Sequence, residues 1–522
     1  MNPGRTDALA QLTPPVLANK TIVIALVVVY IFCQGLYNLY LHPLGTIPGP
    51  KLAAFSRLYE FWFDVIQDGQ YLWEIGRMHN KYGPIVRIGP NAIHIRDPSY
   101  YSTIYAGGSR IVDKDALTVG SFSMPSSSIA TIDHNLHRAR RGYLNQYFSK
   151  RSVVSLEPII HERVDKLCQR LERFMSTGET VSLDRAFSAL TGDIICRKLY
   201  GSHFDFLDIP DFRIFATEAV TAISSFVHLA RFFPTVVATL RNSPLWFQRI
   251  FLPILTGYTL LQQDIKTQIT IASNKEKGEQ VDSVMLSTLI DSDVPPAERS
   301  VSRLVDEGTA ILLAGTETTA RALSIAMFYL LDQKECLAKL RQELIALPAH
   351  EINWFPLSML EPLPYLNGVV NESLRLSFGP IGPLPRVSPK QHLQYGEYLI
   401  PAGTPVSQST YYVHTDPSIF PEPFNFDPER WIKATESGIN LQKYLVSFTK
   451  GSRQCIGIQM AYAEMYTTLA RIVSSFDMDL FETTKEDVTV HCERVLAYPK
   501  QPRFGTAAIG QVKVKVTGTR SV

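Results

Sequence analysis

The sequence predicts a mainly α-helical protein with small β-sheets, preceded by an N-terminal transmembrane helix. Three observations carry this reading: an apolar run of about 20 residues near the start, helical apolar spacing through the middle, and short alternating segments that end in Gly-Pro or Asp-Pro. With 522 residues and 45% hydrophobic content, the chain can bury a large core.

The apolar run, TIVIALVVVYIFCQGLYNLY, extends from Thr21 to Tyr40 with Lys20 before it. Gln34, Tyr37, Asn38 and Tyr40 continue it with interfacial character instead of a small-residue cleavage site, so an uncleaved signal anchor is expected over 21–41, after a short tail over 1–20. Pro43, Pro48 and Pro50 then fix φ and remove donors, which predicts a stiff, extended hinge over 42–51. The rest, 52–522, forms the globular body. PIVRIGP and AIHIRDP read as strands of a small early sheet. From Val153 to Leu347 the spacing is mostly helical; in HERVDKLCQRLERFM, for example, Val164, Leu167, Leu171 and Phe174 share one face.

Ser302 to Leu331 reads as one long apolar helix with AGTETT in its middle. Thr318 lies four residues after Ala314, so its hydroxyl can take the Ala314 carbonyl, and Gly315 lacks the side chain that would fill the resulting groove. A bent helix with a small pocket follows; packing of small residues against another helix is the plainer alternative.

The charge balance excludes some partners. A formal net charge of +2 with no long Lys/Arg run does not suit a phosphate backbone, which makes nucleic acid an unsuitable partner. The six cysteines form no CxxC pair, so neither a disulfide framework nor a zinc knuckle is expected, and a reducing compartment fits.

One cysteine has neighbours that suit chemistry. FTKGSRQCIG is followed by IQMAYAEMYTTLARIVSSF, with Ala461, Met465, Leu469, Ile472 and Phe476 on one stripe, which puts Cys455 at a helix start. The helix dipole and free N–H groups there favour a thiolate, and a bound ferric iron favours it further. Gly451 permits a turn with φ > 0, Gly457 lets backbone approach a flat macrocycle, and Arg453 can meet one of its carboxylates.

Phe448-x-x-Gly451-x-Arg453-x-Cys455-x-Gly457 resembles the cysteine-ligand loop of the cytochrome P450 family, and the family's other landmarks follow along nearly the whole chain. Ala314-Gly315-x-Glu317-Thr318-Thr319 resembles the oxygen-activation motif, Glu372-x-x-Arg375 the ExxR motif, and FDPERW the meander segment, with Trp431 where Phe is commoner. HRARRGYLNQYFS resembles the third long helix, with His137 in place of the usual Trp, and PLPR, ending at Arg386, resembles a strand whose arginine meets a haem propionate.

The resemblance implies the P450 fold, with haem b between the long central helix and the Cys455 loop. Cys455 would be the axial ligand to the iron, Arg453, His137, Arg141 and Arg386 would hold the propionates, and Ala314 and Gly315 would border dioxygen. Thr318 would hold dioxygen and its water, Glu317 would serve the proton relay, and Glu372, Arg375 and Arg430 would form a structural network. It further implies monooxygenase activity with electrons from NADPH through a separate reductase, with cytochrome b5 as a second candidate donor. Arg138, Arg140 and Lys450 are candidates for that docking face.

The hinge and HRARR segments resemble trichodiene-oxygenase-like enzymes of fungal toxin pathways, which implies a lipophilic, terpenoid-type substrate and an endoplasmic-reticulum anchor with a cytosolic body. The apolar stretch HLARFFPTVVATLRNSPLWFQRIFLPI suits dipping into a membrane. Two other functions compete: a haem-thiolate isomerase or dehydratase without a reductase, and a membrane-bound haem carrier or receptor. The Glu317-Thr318 pair favours the monooxygenase.

Overall fold

Helices carry the architecture, and the computed structural model describes residues 15–201, 204–274, 283–347, 355–500 and 512–520. The helices that matter for the site are α1 (Pro15–Tyr40), α2 (His134–Asn145), α3 (Lys150–Thr177), α4 (Leu183–Tyr200), α5 (Phe215–Phe232), α6 (Pro253–Asn274), α7 (Val301–Asp332), α8 (Pro364–Ser377) and α9 (Ile458–Ser475). Their boundaries have local causes. Ser149 caps α3 through the Ser152 amide and Gly178 ends it at φ 72°, while Pro364 opens α8 and Gly201 closes α4 at φ 74°.

The central helix α7 is buried on nearly all sides and packs against α4, α6, α8 and α9. Its core joins Leu312, Leu323 and Phe328 to Phe187 and Leu190 of α4 and Leu469 and Ile472 of α9. Helix hydroxyls in this apolar setting bond back one turn: Thr309 to the Val305 carbonyl at 2.7 Å, Thr316 to Leu312 at 2.7 Å and Thr318 to Ala314 at 2.8 Å.

The strands are short: β1 (Ile85–Arg87), β2 (Ile93–Ile95), β3 (Asp113–Lys114), β4 (Val181–Ser182), β5 (Arg386–Val387), β6 (Leu393–Tyr395), β7 (Tyr398–Ile400), β8 (Pro405–Ser407), β9 (Phe476–Leu480), β10 (Cys492–Arg494), β11 (Leu496–Tyr498) and β12 (Lys513–Thr519). They form a sheet in the order β1-β2-β8-β5-β3, a second in the order β4-β12-β9, and the pairs β6-β7 and β10-β11. The expected early strands are β1 and β2, paired antiparallel with Ile85 opposite Ile95.

Two features of the amino-terminal region differ from expectation. The hinge is not wholly extended: Pro43–Thr46 forms a 3-10 turn, because Pro43 presets φ at its first position and the His42 ring accepts the Leu44 amide at 3.1 Å. The hinge is also tied down, with Leu44 and Ile47 buried and the Arg87 amide donating to the Pro48 carbonyl at 2.8 Å. Asn38, read as interfacial, is buried and donates to the Phe55 carbonyl at 3.2 Å. Over Ile22–Gln34 α1 is exposed and apolar, and among the described residues Ile22–Tyr40 is the one helix long and apolar enough to cross a membrane.

A buried ion network ties α5 to the start of the body and to β10. Arg231 Nη1 lies 3.2 Å from Asp64, and the His228 ring lies 3.5 Å from Asp64 and 3.7 Å from Glu493. Arg231 supplies positive charge here, so these acids need no bound cation.

Asp184, at the start of α4, accepts the Val512 amide at 3.0 Å and the Ser182 hydroxyl at 3.1 Å, joining helix to sheet. Burial pushes its carboxyl up to about 7, and these hydrogen bonds offset the effect only in part. A raised acid binds its proton more tightly folded than unfolded, so stability falls as pH rises from the unfolded value near 4 toward 7. Asp184→Asn removes that dependence. Its thermal midpoint is expected to gain on the parent between pH 5 and pH 8, by the equivalent of roughly 2–3 kcal/mol; a pH-independent difference would contradict this.

Candidate haem-thiolate site

The loop that carries Cys455 is closed by its own backbone. The Cys455 amide donates to the Phe448 carbonyl at 2.9 Å, and Gly451 turns the chain at φ 76°. A Cβ at Gly451 would collide with the Tyr105 and Ala106 carbonyls, so close approach and a left-handed conformation both demand glycine. Phe448 lies against Tyr462 of α9, with ring centroids 5.6 Å apart. Gly457 is the cap residue of α9, and a Cβ there would meet only the Cys455 sulfur, at 4.0 Å.

Cys455 is enclosed by the fold, yet its side chain retains accessible surface, so that surface is internal. Burial raises the thiol above its ordinary value, and the Gly457 N–H and Arg141 offset this only in part. The N–H at the helix start favours the thiolate, as expected, but burial outweighs it. A metal cation at the sulfur is what the site needs to hold a thiolate.

The facing wall is α7. In the middle of this largely buried helix Ala314 is exposed and Gly315 and Thr318 are half-exposed, with Ala314 and Thr318 one turn apart on one face. Cys455 likewise keeps accessible surface, and the arrangement expected from the sequence sets these surfaces on either side of the haem, with the space between α7 and the Cys455 loop. Gly315 does not open this groove. A Cβ there would meet Ile195 of α4 at 3.2 Å, so its small size serves the approach of two helices, the plainer of the two sequence readings.

Glu317 is turned away from Thr318. Its carboxylate accepts the Ser188 hydroxyl of α4 at 3.2 Å, and burial raises it despite hydrogen bonds from Thr217 and Ser188 and the nearby Arg321. One residue along a helix is a rotation of about 100°, which puts neighbours on different faces.

Positive charge collects at one edge of the space. Arg386 in β5 pairs with Lys114 in β3, and both are held close to Arg453. Arg453 donates to the Thr131 and Ile132 carbonyls, but its Nε is buried without a partner. Burial and then Arg386 bring Arg453 down to about 10, with Asp113 and Asp133 acting in the opposite sense. Burial, Arg386 and Arg453 likewise push Lys114 well below the ordinary lysine value. His137 is pushed down to about 3, by burial first and then by Arg453, Lys114 and Arg141. Arg141 reaches the loop itself, donating to the Gln454 carbonyl at 2.6 Å.

Lys114 has no counterpart in the sequence reading, because a two-residue strand leaves no periodic signal. Arg140 leaves the docking set: it is committed to Glu298 at 2.9 Å and half-buried. Arg138 is exposed, and Lys450 donates to the Lys443 carbonyl.

Behind the site, Glu372 and Arg375 are fully buried. Glu372 accepts from Arg375 at 2.6 and 3.0 Å, from Arg430 at 3.0 Å and from the Asp427 amide at 3.1 Å. Trp431 adds its indole N–H at 2.9 Å, a donor that a phenylalanine would not supply.

A flat macrocycle bearing two carboxylates and a metal meets these demands together: it gives the sulfur a cation, the clustered cations anions, and Arg453 Nε an acceptor. That places the chain among haem-thiolate proteins. Residues 51–504 match the cytochrome P450 family profile. The chain is 50% identical over 511 residues, 98% of both chains, to the cytochrome P450 monooxygenase TRI4 of Trichoderma arundinaceum. It is 51% identical over 497 residues, 95% of both chains, to TRI4 of Fusarium sporotrichioides. With the conidiogenone synthase PchP450 of Penicillium rubens it shares 42% identity over 466 residues, 89% of this chain and 94% of that one. The chain belongs to the cytochrome P450 family and is a haem-thiolate monooxygenase.

Proposed function

We propose that this monooxygenase hydroxylates or epoxidises a terpenoid or similar lipophilic intermediate of fungal secondary metabolism, drawing electrons from NADPH through a separate reductase. The observation that carries the reading is an accessible Cys455 thiol in the loop before α9 together with an open Ala314–Thr318 face on the central helix α7. The similarity to TRI4 and conidiogenone synthase supports the metabolite class.

Cys455 would hold the haem iron through its sulfur, and Arg453, Arg386, His137, Arg141 and Lys114 would hold its carboxylates. Haem b, when bound, supplies activation of dioxygen and insertion of one oxygen atom. The chain's own task is to place substrate and protons. Thr318 presents a hydroxyl to the space and can orient a water there, while Glu317, raised by burial, keeps its proton to higher pH than a surface glutamate. Delivery of that proton to the Thr318 face would require the Glu317 side chain to leave Ser188.

Substrate approach is apolar. Ala222, Ile223, Phe226 and Ala230 of α5 line a cleft with Leu255 and Tyr258 of α6. Phe233, Val236, Trp246, Ile250 and Phe251 are exposed after α5, and Leu58, Trp62 and Ile66 are exposed in the segment whose Phe61 ring lies 5.1 Å from Phe232. Such a continuous apolar surface beside an anchor helix suits insertion into a bilayer, which we assign to the endoplasmic reticulum with the body on the cytosolic side.

Product analysis after co-expression with a reductase and a panel of terpenoid precursors tests the reading. An oxygenated terpenoid is expected; rearranged or dehydrated product formed without reductase would favour the isomerase or dehydratase. For Thr318→Ala, NADPH consumption continues while product per NADPH falls roughly tenfold or more and hydrogen peroxide rises. Unchanged coupling would contradict the placement of Thr318.

A further inference from the structure

The segment from Ser121 to Thr131 is tied to α7 by charge. The Ser126 amide donates to Asp306 at 2.8 Å, and Ser128 gives both its amide, at 2.9 Å, and its hydroxyl, at 2.6 Å, to the Glu307 carboxylate. Glu307 is buried and meets Arg303 at 2.5 Å. From there the charges alternate outward: Arg303 lies 3.1 Å from Glu298, and Glu298 takes Arg140 of α2 at 2.9 and 3.1 Å. Burial opposes ionisation of Glu298, but the two arginines hold its carboxyl below its ordinary value.

The chain of contacts then returns to the same loop. Arg140 Nη1 donates to the Thr131 hydroxyl at 2.9 Å, and Thr131 passes that hydroxyl to the Ser127 carbonyl at 2.9 Å. The carbonyls of Thr131 and Ile132 are the ones that hold Arg453, two residues from Cys455. The loop therefore spans from α7, two turns before Ala314, to the Cys455 loop, and closes one edge of the space between them. At its outer end the Ser123 carbonyl accepts the Tyr258 hydroxyl of α6 at 2.9 Å.

We propose that Glu307 is a positioning residue: it clasps the 121–131 loop and so sets the width of the entrance to the haem's distal side. This rests on the haem-thiolate reading of the site. A carboxylate suits the task because it accepts two loop donors and an arginine together, whereas the amide of a glutamine would present hydrogens to Arg303. Ser128 gives both of its donors to Glu307, while the ends of the loop are fixed separately, Ser123 to Tyr258 and Thr131 to Arg140 and Arg453, so loss of the clasp loosens the middle of the loop and not its ends.

The test uses full-length, haem-loaded protein: parent, Glu307→Gln and Ser128→Ala. Hydrogen exchange of the 121–131 peptide reads the clasp, and association of imidazole and of the bulkier 4-phenylimidazole with the ferric haem reads the entrance. Glu307→Gln is expected to exchange about tenfold faster in that peptide, with Ser128→Ala between it and the parent. Association of 4-phenylimidazole should accelerate by about threefold or more, and that of imidazole by less than about twofold, since a small ligand does not need the wider entrance. Unchanged exchange, or equal acceleration of both ligands, overturns the proposal. If Glu307→Gln fails to load haem, Ser128→Ala, which loses one hydroxyl donor, decides the matter by the same readouts. A parent protein without the spectrum of a haem thiolate would instead count against the reading of the site.

Discussion

Glu372→Ala is expected to yield almost no haem-loaded protein. Among the described residues the glutamate is the one carboxylate that two arginines, Arg375 and Arg430, contact, and each is also clamped by carbonyls: Arg375 by His414 at 3.0 Å and Asn425 at 3.1 Å, Arg430 by Pro421 at 2.8 Å. Alanine leaves both charges in place with nothing to balance them, and the Trp431 indole and Asp427 amide lose their acceptor. Stranding one buried charge costs roughly 3–5 kcal/mol, and typical total stability is only about 5–15 kcal/mol. The readout is soluble holoprotein per cell and protease resistance of what remains. Near-parent yield with impaired turnover would make this network catalytic instead of structural.

Cys455→Ser is expected to abolish oxygenation while leaving the polypeptide folded. The residue contributes little packing, since its side chain faces interior space, and the loop is shaped by Gly451 and the Cys455 amide bond to Phe448, which serine preserves. What the variant would lose, if Cys455 holds the iron, is the soft anionic ligand whose electron donation favours O–O cleavage. Product formation should fall to background with protein yield within about twofold of the parent. Full activity in this variant would remove the assignment of the ligand.

These two sites were also the most legible in the sequence, for a physical reason. Cys455 and the Glu372-Arg375 pair lie in segments whose spacing is fixed locally, by a glycine turn and by one turn of helix, so the order of residues states the geometry. The central helix was legible for the same reason: expected over 302–331, it spans Val301–Asp332. The residues that escaped notice depend on contacts across the chain. Lys114 reaches the cationic edge because β3 pairs with β5, more than 250 residues away. Glu317 and Thr318 look like a pair in sequence, but the helix sends one toward Ser188 and the other toward the space. For Gly315 the sequence leaves a groove and close helix packing both open, and the neighbour that favours packing, Ile195 of α4, is remote in the chain. Arg140 looked like a docking residue because its partner, Glu298, is 158 positions away. The Ser128 clasp has no periodicity to announce it. The hinge prolines do not announce the 3-10 turn, since proline is equally restrained in an extended hinge and at the first position of such a turn.

The absorption spectrum of the reduced, carbon-monoxide-bound protein tests the central claim most directly, because it reports the atom opposite the carbon monoxide. With Cys455 sulfur on the iron, the main band is shifted to the red of that of imidazole-ligated haem proteins. A band at the imidazole position in freshly purified, undenatured protein, or no haem at all, would contradict the account.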